Sequence, residues 1–166
     1  MDKIIERHKG TYAAVKYDEI SCMMLSELLK IWNVPNPIKT NDFHSTLIYS
    51  RKQIPNIIQR NMDHEELKRV GWRFLIKSLE LFSSSSDKNV KSVLVMLLEA
   101  PELVNLHGEL IKAGATHDFP EYNPHVTLSY DVPVDYDWQS IILPPIYLLP
   151  NKIYFEPLDI DWQSDN

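Results

Sequence analysis

The sequence predicts an α/β (α+β) domain made of two pseudo-symmetric lobes whose antiparallel sheets face each other across a central cleft. Three observations lead there. A six-residue motif occurs twice: His44-Ser45-Thr46-Leu47-Ile48-Tyr49 matches His125-Val126-Thr127-Leu128-Ser129-Tyr130 at four of six positions, a step of 81 residues from 44 to 125. Each copy comes after the same succession of strand-like run, amphipathic helical run and loop. Both helical runs are expected to end twelve residues before their histidine, at Trp32 and Ala113.

Residues 11–17 alternate apolar and polar as a strand does. Residues 19–32 read as an amphipathic helix, with Ile20, Met24, Leu25, Leu28, Ile31 and Trp32 on one face and Glu19, Ser26, Glu27 and Lys30 on the other. The first motif strand comes next. Residues 50–60 then form a polar connection, either a lid over the cleft or a passive crossover. A short charged helix is expected over 63–69. A long strand over 72–82 should pair with 90–98 across the turn-forming stretch 83–87. Pro101 opens a helix through Ala113, with Leu103, Leu106, Leu110 and Ile111 as its buried stripe and Gly114 as its stop. The second motif strand comes after it, and 146–156 is the expected last strand.

At 166 residues the chain fits one domain, 1–166, with no linker-like stretch. A domain of this size buries roughly 70% of its unfolded surface and needs no covalent staple. Cys22 is the only cysteine, which excludes an internal disulfide and suits a reducing cytoplasm. The first ten residues lack a signal-peptide core. The longest apolar stretch, 141–149, is broken by Pro144 and Pro145 and is too short for a bilayer. A soluble cytosolic protein with no membrane partner is expected. The net charge of -6, with only scattered Arg51, Lys52 and Arg60, argues against long nucleic acid and for a small anionic substrate.

In an extended strand residues i and i+2 share a face. His44 then sides with Thr46, and His125 with Thr127. Ser45, Leu47 and Tyr49, like Val126, Leu128 and Tyr130, are expected on the opposite, core-facing side. The four polar groups suit phosphodiester cleavage. One imidazole takes a proton from the attacking hydroxyl, and the other, protonated, gives one to the leaving oxygen. The threonine hydroxyls hydrogen-bond the non-bridging oxygens as charge builds. A metal site is the alternative, recruiting Asp42 and His117, but neither His-x-His nor His-Glu-x-x-His occurs. His8, His64, His107 and His117 are assigned surface or structural roles.

The paired motifs resemble those of the two-histidine (2H) phosphoesterase superfamily, over about 11–156. Within it the chain looks most like the phage anti-CBASS phosphodiesterases, in Gly10-Thr11-Tyr12, Asn41-Asp42-Phe43-His44-Ser45-Thr46 and Tyr122-Asn123-Pro124-His125-Val126-Thr127. The resemblance implies helices outside the two sheets, no cofactor and no metal. It also implies cleavage of the cyclic di- and trinucleotide signals of bacterial CBASS defence, through a 2′,3′-cyclic phosphate. Which histidine is the base and which the acid stays open. Other 2H reactions on 2′–5′ oligoadenylate, 2′,3′-cyclic phosphates or RNA ends are alternatives, as is non-catalytic nucleotide sequestration. A cyclic nucleotide needs base contacts, for which Tyr12, Lys16, Trp72 and Glu156 are candidates. The plain alternatives are core aromatics for Tyr12 and Trp72, and solvated charges for Lys16 and Glu156.

Overall fold

The computed structural model describes residues 9–55, 59–83, 92–118 and 121–159. Most of the expected turn at 83–87, the start of the 90–98 run, His8, part of the 50–60 connection and the tail from 160 lie outside these residues. The elements run β1 (Lys9–Tyr17), α1 (Glu19–Ile31), β2 (His44–Ser50), α2 (His64–Val70), β3 (Phe74–Ser83), β4 (Ser92–Glu99), α3 (Pro101–Lys112), β5 (His125–Val132), β6 (Tyr147–Leu148) and β7 (Pro150–Asp159). They build two antiparallel sheets, of order β2-β1-β7 and β5-β4-β3-β6. The expected pairing of the two long central runs is the β3–β4 hairpin. The two motif strands are the outermost strands of their sheets, and they lie against each other.

α1 begins at Asp18, whose carboxylate accepts the Ser21 N–H at 2.8 Å and so satisfies one free donor of the first turn. Its buried face differs from the expected one. Ser21, Cys22, Leu25 and Leu29 face inward, while Ile20 and Ile31 are each 69% exposed. The helix is turned because Ser21 and Asp18 together hold Leu149. Ser21 Oγ accepts the Leu149 N–H, and the Asp18 N–H donates to the Leu149 carbonyl, both at 2.9 Å. That clamp also explains a second departure. The single last strand expected over 146–156 is two strands in different sheets, with Leu149 at the switch. β6 completes the second sheet, and β7 crosses to pair with β1 in the first.

α3 starts at Pro101 as expected, and Gly114 with φ 110° ends it. Leu103 and Leu110 are buried; the third buried residue is His107, in place of the expected Ile111, which is 38% exposed. Side chains of both long helices and both sheets share one hydrophobic core. One edge of each sheet is partly covered, which protects it from stray pairing. Met62 exchanges backbone bonds with Ile153 of β7, and the Ile38 N–H donates to Leu128 O of β5 at 2.9 Å. The described part of the 50–60 connection is anchored at two points. Ile54 is buried with its N–H on Thr11 Oγ1, and Arg51 pairs with Asp118. Gly10 is required by close approach, because a Cβ there would stand 1.9 Å from the Ser50 carbonyl oxygen.

Candidate active site

Both motif strands break alternation at the same point. In β2, Thr46 pairs with Ala14 and Ile48 with Ala13, so Leu47 has no partner. In β5, Thr127 pairs with Val95 and Ser129 with Leu94, so Leu128 has none. Each is a β-bulge, which bends the strand and reverses the phase of the residues after it. Leu47, Ile48, Leu128 and Ser129 are all buried. Tyr49 and Tyr130 therefore come round to the histidine side. The expectation that they anchor the core is corrected: Tyr130 is 55% exposed, and the Tyr49 ring meets Tyr12 edge-on with centroids 6.5 Å apart.

Directly paired residues of an antiparallel sheet project to the same side. The cleft face of the first sheet is therefore three rows: His44, Lys16 and Lys152; Thr46, Ala14 and Tyr154; Tyr49, Tyr12 and Glu156. Tyr12 is the hub. Its hydroxyl lies 3.5 Å from Thr46 Oγ1, and its ring meets Tyr154 with centroids 6.3 Å apart. Burial raises the Tyr12 pKa, and the neighbouring Glu156 and Tyr130 add to the effect. Burial, with Tyr12 and Glu156 close by, pushes Tyr154 up to about 12, so both phenols stay protonated donors near neutral pH. Lys152 lies over the Tyr154 ring at 5.4 Å.

On the second sheet the same logic groups His125 with Leu97 and Ser78, and Thr127 with Val95 and Glu80. The Phe82 ring stands edge-on to His125 with centroids 5.7 Å apart. A groove of about 630 Å³ adjoins this end, lined among others by Arg73, Leu75, Leu97, Glu99 and Asn123.

The two imidazoles are held alike. His44 Nδ1 lies 2.9 Å from the Asp42 carbonyl, and His125 Nδ1 lies 2.9 Å from the Asn123 carbonyl. A carbonyl only accepts, so each Nδ1 carries the proton and donates. That fixes the tautomer and leaves each Nε2 as the nitrogen able to take or give a proton. Asp42 meets His44 through its backbone carbonyl, and His117 packs edge-on against His107. Among the described residues no group of three or more His, Cys, Asp or Glu is arranged to hold a metal ion.

Of the residues singled out from sequence, His44, Thr46, Tyr12, Lys16 and Glu156 share the first sheet's face, and His125 and Thr127 share the second's. Trp72 is not tied to either face by strand pairing. It precedes β3, half-buried against the core, between Gly71 and Arg73 of the groove. Tyr49, Tyr130, Tyr154, Lys152 and Phe82 were missed. A signal existed for four of them. Tyrosine is one of the matched positions of the repeated motif, and 152 and 154 alternate with 156.

A family model described as "Anti-CBASS protein Acb1" matches residues 9–165. The protein of that name from Vibrio phage KVP40 is 35% identical over 166 residues, covering 100% of this chain and 98% of its own. That from Acinetobacter phage Ac42 is 36% identical, covering 97% and 99%. The Enterobacteria phage T4 protein is 34% identical, covering 94% and 93%. Among solved structures, TT0787 of Thermus thermophilus matches with TM-score 0.52 and 17% identity, covering 90% of this chain and 84% of its own. Escherichia coli LigT complexed with 3′-AMP matches with TM-score 0.51 and 12% identity, covering 90% and 95%. These two likenesses concern the fold, which is the 2H phosphoesterase fold expected from the paired motifs.

Proposed function

Because the chain belongs to the anti-CBASS protein Acb1 family, we propose that it is a metal-independent phosphodiesterase cleaving 3′–5′ bonds of cyclic di- and trinucleotide immune signals. The observation that carries this reading is the matched pair of His-x-Thr strands, each with its imidazole Nδ1 donating to the carbonyl two residues earlier. One Nε2 takes the proton of a ribose 2′-hydroxyl as that oxygen attacks the adjacent phosphorus. The other imidazole, protonated, gives its proton to the departing 5′-oxygen, leaving a 2′,3′-cyclic phosphate. The two rings then exchange roles as water opens that ring to a linear product. Thr46 and Thr127 donate to the non-bridging oxygens where charge develops.

Lys16 and Lys152, in the row of His44, offset the phosphate charge. Tyr12, braced by Tyr49 and Tyr154, offers a ring for a base, and Glu156 beside it accepts from a base edge. Trp72, at the groove leading towards Asn123, is the second stacking candidate. A substrate of this kind puts the activity in the cytoplasm of an infected host. Among the described residues no helix is long and apolar enough to cross a membrane.

The test is product analysis with 3′,3′-cyclic GMP–AMP in excess EDTA, beside His44→Ala and His125→Ala. Linear products from the unmodified protein alone support the mechanism. Activity surviving in both variants, or abolished by EDTA and restored by a divalent cation, sinks it. An intact cyclic substrate with 2′–5′ oligoadenylate or a 2′,3′-cyclic phosphate cleaved instead moves the substrate class. Tight binding without product, unchanged in His44→Gln, points to sequestration.

A further inference from the structure

Behind the first motif strand stands a stacked pair of rings that the proposed chemistry does not use. His107 of α3 is buried, at 6% exposure, and Tyr122 lies parallel to it, with ring centroids 4.1 Å apart and planes 6° from coplanar. The two reach consecutive carbonyls of β2. The Tyr122 hydroxyl donates to Thr46 O at 2.9 Å, and His107 Nδ1–H donates to Leu47 O at 2.8 Å. Leu47 is the unpaired residue of the bulge and Thr46 directly precedes it, where the strand gives up regular pairing and leaves carbonyls in need of donors. Tyr122 also stands three residues before His125, on the segment whose Asn123 carbonyl orients that imidazole.

We propose that Tyr122 and His107 are positioning residues that hold the β2 bulge and set the first motif's spacing from the second. The inference rests on the proposed phosphodiesterase reading for its kinetic consequence, but not for its geometry. One short segment carries both the Tyr122 bond to Thr46 and the Asn123 bond to His125. A shift of that segment moves both motifs together. His117, edge-on to His107 at 4.5 Å between centroids, keeps the stack in place from its outer side.

The test uses the full chain with Tyr122→Phe, His107→Ala and His107→Asn, the last placing an amide N–H near the lost Nδ1–H. On 3′,3′-cyclic GMP–AMP, Tyr122→Phe should lower kcat roughly tenfold, the worth of one lost hydrogen bond, with KM within about twofold. His107→Asn should recover most of what His107→Ala loses. The Thr46 carbonyl carbon and the His44 imidazole signals should shift in NMR spectra of Tyr122→Phe while β3 and β4 signals stay. Unchanged kcat, a rise confined to KM, or no advantage of His107→Asn over His107→Ala overturns the proposal. If the unmodified protein cleaves nothing, the phosphodiesterase reading fails alone, and the NMR shifts decide this one: perturbation at Thr46 and His44 upholds it, and none overturns it.

Discussion

Leu47 and Leu128 occupy equivalent places in the two halves: each is the extra residue of a β-bulge that directly succeeds the threonine of its motif. The equivalence is the clearest mark of internal symmetry in the molecule. It gives each strand two stretches in sequence, polar before the bulge on the cleft side and aromatic after it on the same side. The cleft face thus carries histidine, threonine and tyrosine from both halves.

That pairing predicts how the histidines fail. His44→Ala and His125→Ala should each lower kcat/KM for the cyclic dinucleotide by about 10²-fold or more. The double variant should be little worse than either, since the two act as one proton-transferring unit. Steady-state kinetics on all three, in EDTA, makes the comparison.

Replacing each threonine with valine keeps the volume and removes only the hydroxyl. Thr46→Val and Thr127→Val should reduce kcat by on the order of 10²-fold, with the effect on KM small, because the hydroxyls act on charge that develops during reaction. A KM effect of the same size with kcat unchanged would place the hydroxyls in ground-state binding.

The row of His44, Lys16 and Lys152 puts two cations at the first motif. Lys16→Met and Lys152→Met should each raise KM roughly three- to tenfold, as expected for partly solvated charges. The dependence of KM on salt should flatten in both. Measuring KM between low and high ionic strength checks this.

His107 supplies a pH dependence of stability. Burial is the largest cause lowering its pKa from the ordinary 6.5; the bond to Leu47 O works against it, and neighbouring His117 with it. A depressed folded value means that the unfolded chain takes up the proton first as pH falls. The stabilisation is whole above about 6.5 and is lost below it. Thermal unfolding should therefore show a lower Tm at pH 5 than at pH 7.5, and the difference should shrink in His107→Asn. Equal pH slopes in the two proteins would remove His107 as the source.

Gly10→Ala tests the packing of β1 on β2. Its Cβ would meet the Ser50 carbonyl at 1.9 Å, and both atoms belong to backbone, so the strands must separate. A loss of about 1–3 kcal/mol by denaturant titration is expected.

Much of this is legible in the sequence. The repeated His-x-Thr, the two helices and the β3–β4 hairpin are consequences of periodicity, because apolar spacing and turn residues are local properties of the chain. The inward face of α1 is not, since Ser21 is drawn inside by Leu149, 128 residues away. Nor is the division of the last strand, which depends on the same contact.

The candidate site divides in the same way. The sequence by itself put His44 with Thr46, His125 with Thr127 and Tyr12 with Lys16 on one face of their strands, because i and i+2 share a face wherever a strand is regular; Glu156 comes beside Tyr12 through the β1–β7 register. Only the tertiary structure decided that Tyr49 and Tyr130 join them. Bulges are frequent at sheet edges, and the carbonyls at the β2 bulge meet donors from outside its sheet, Tyr122 and His107, brought there by folding. Alternation is a rule of the single strand, whereas the residue at which it breaks is chosen by what packs against that strand.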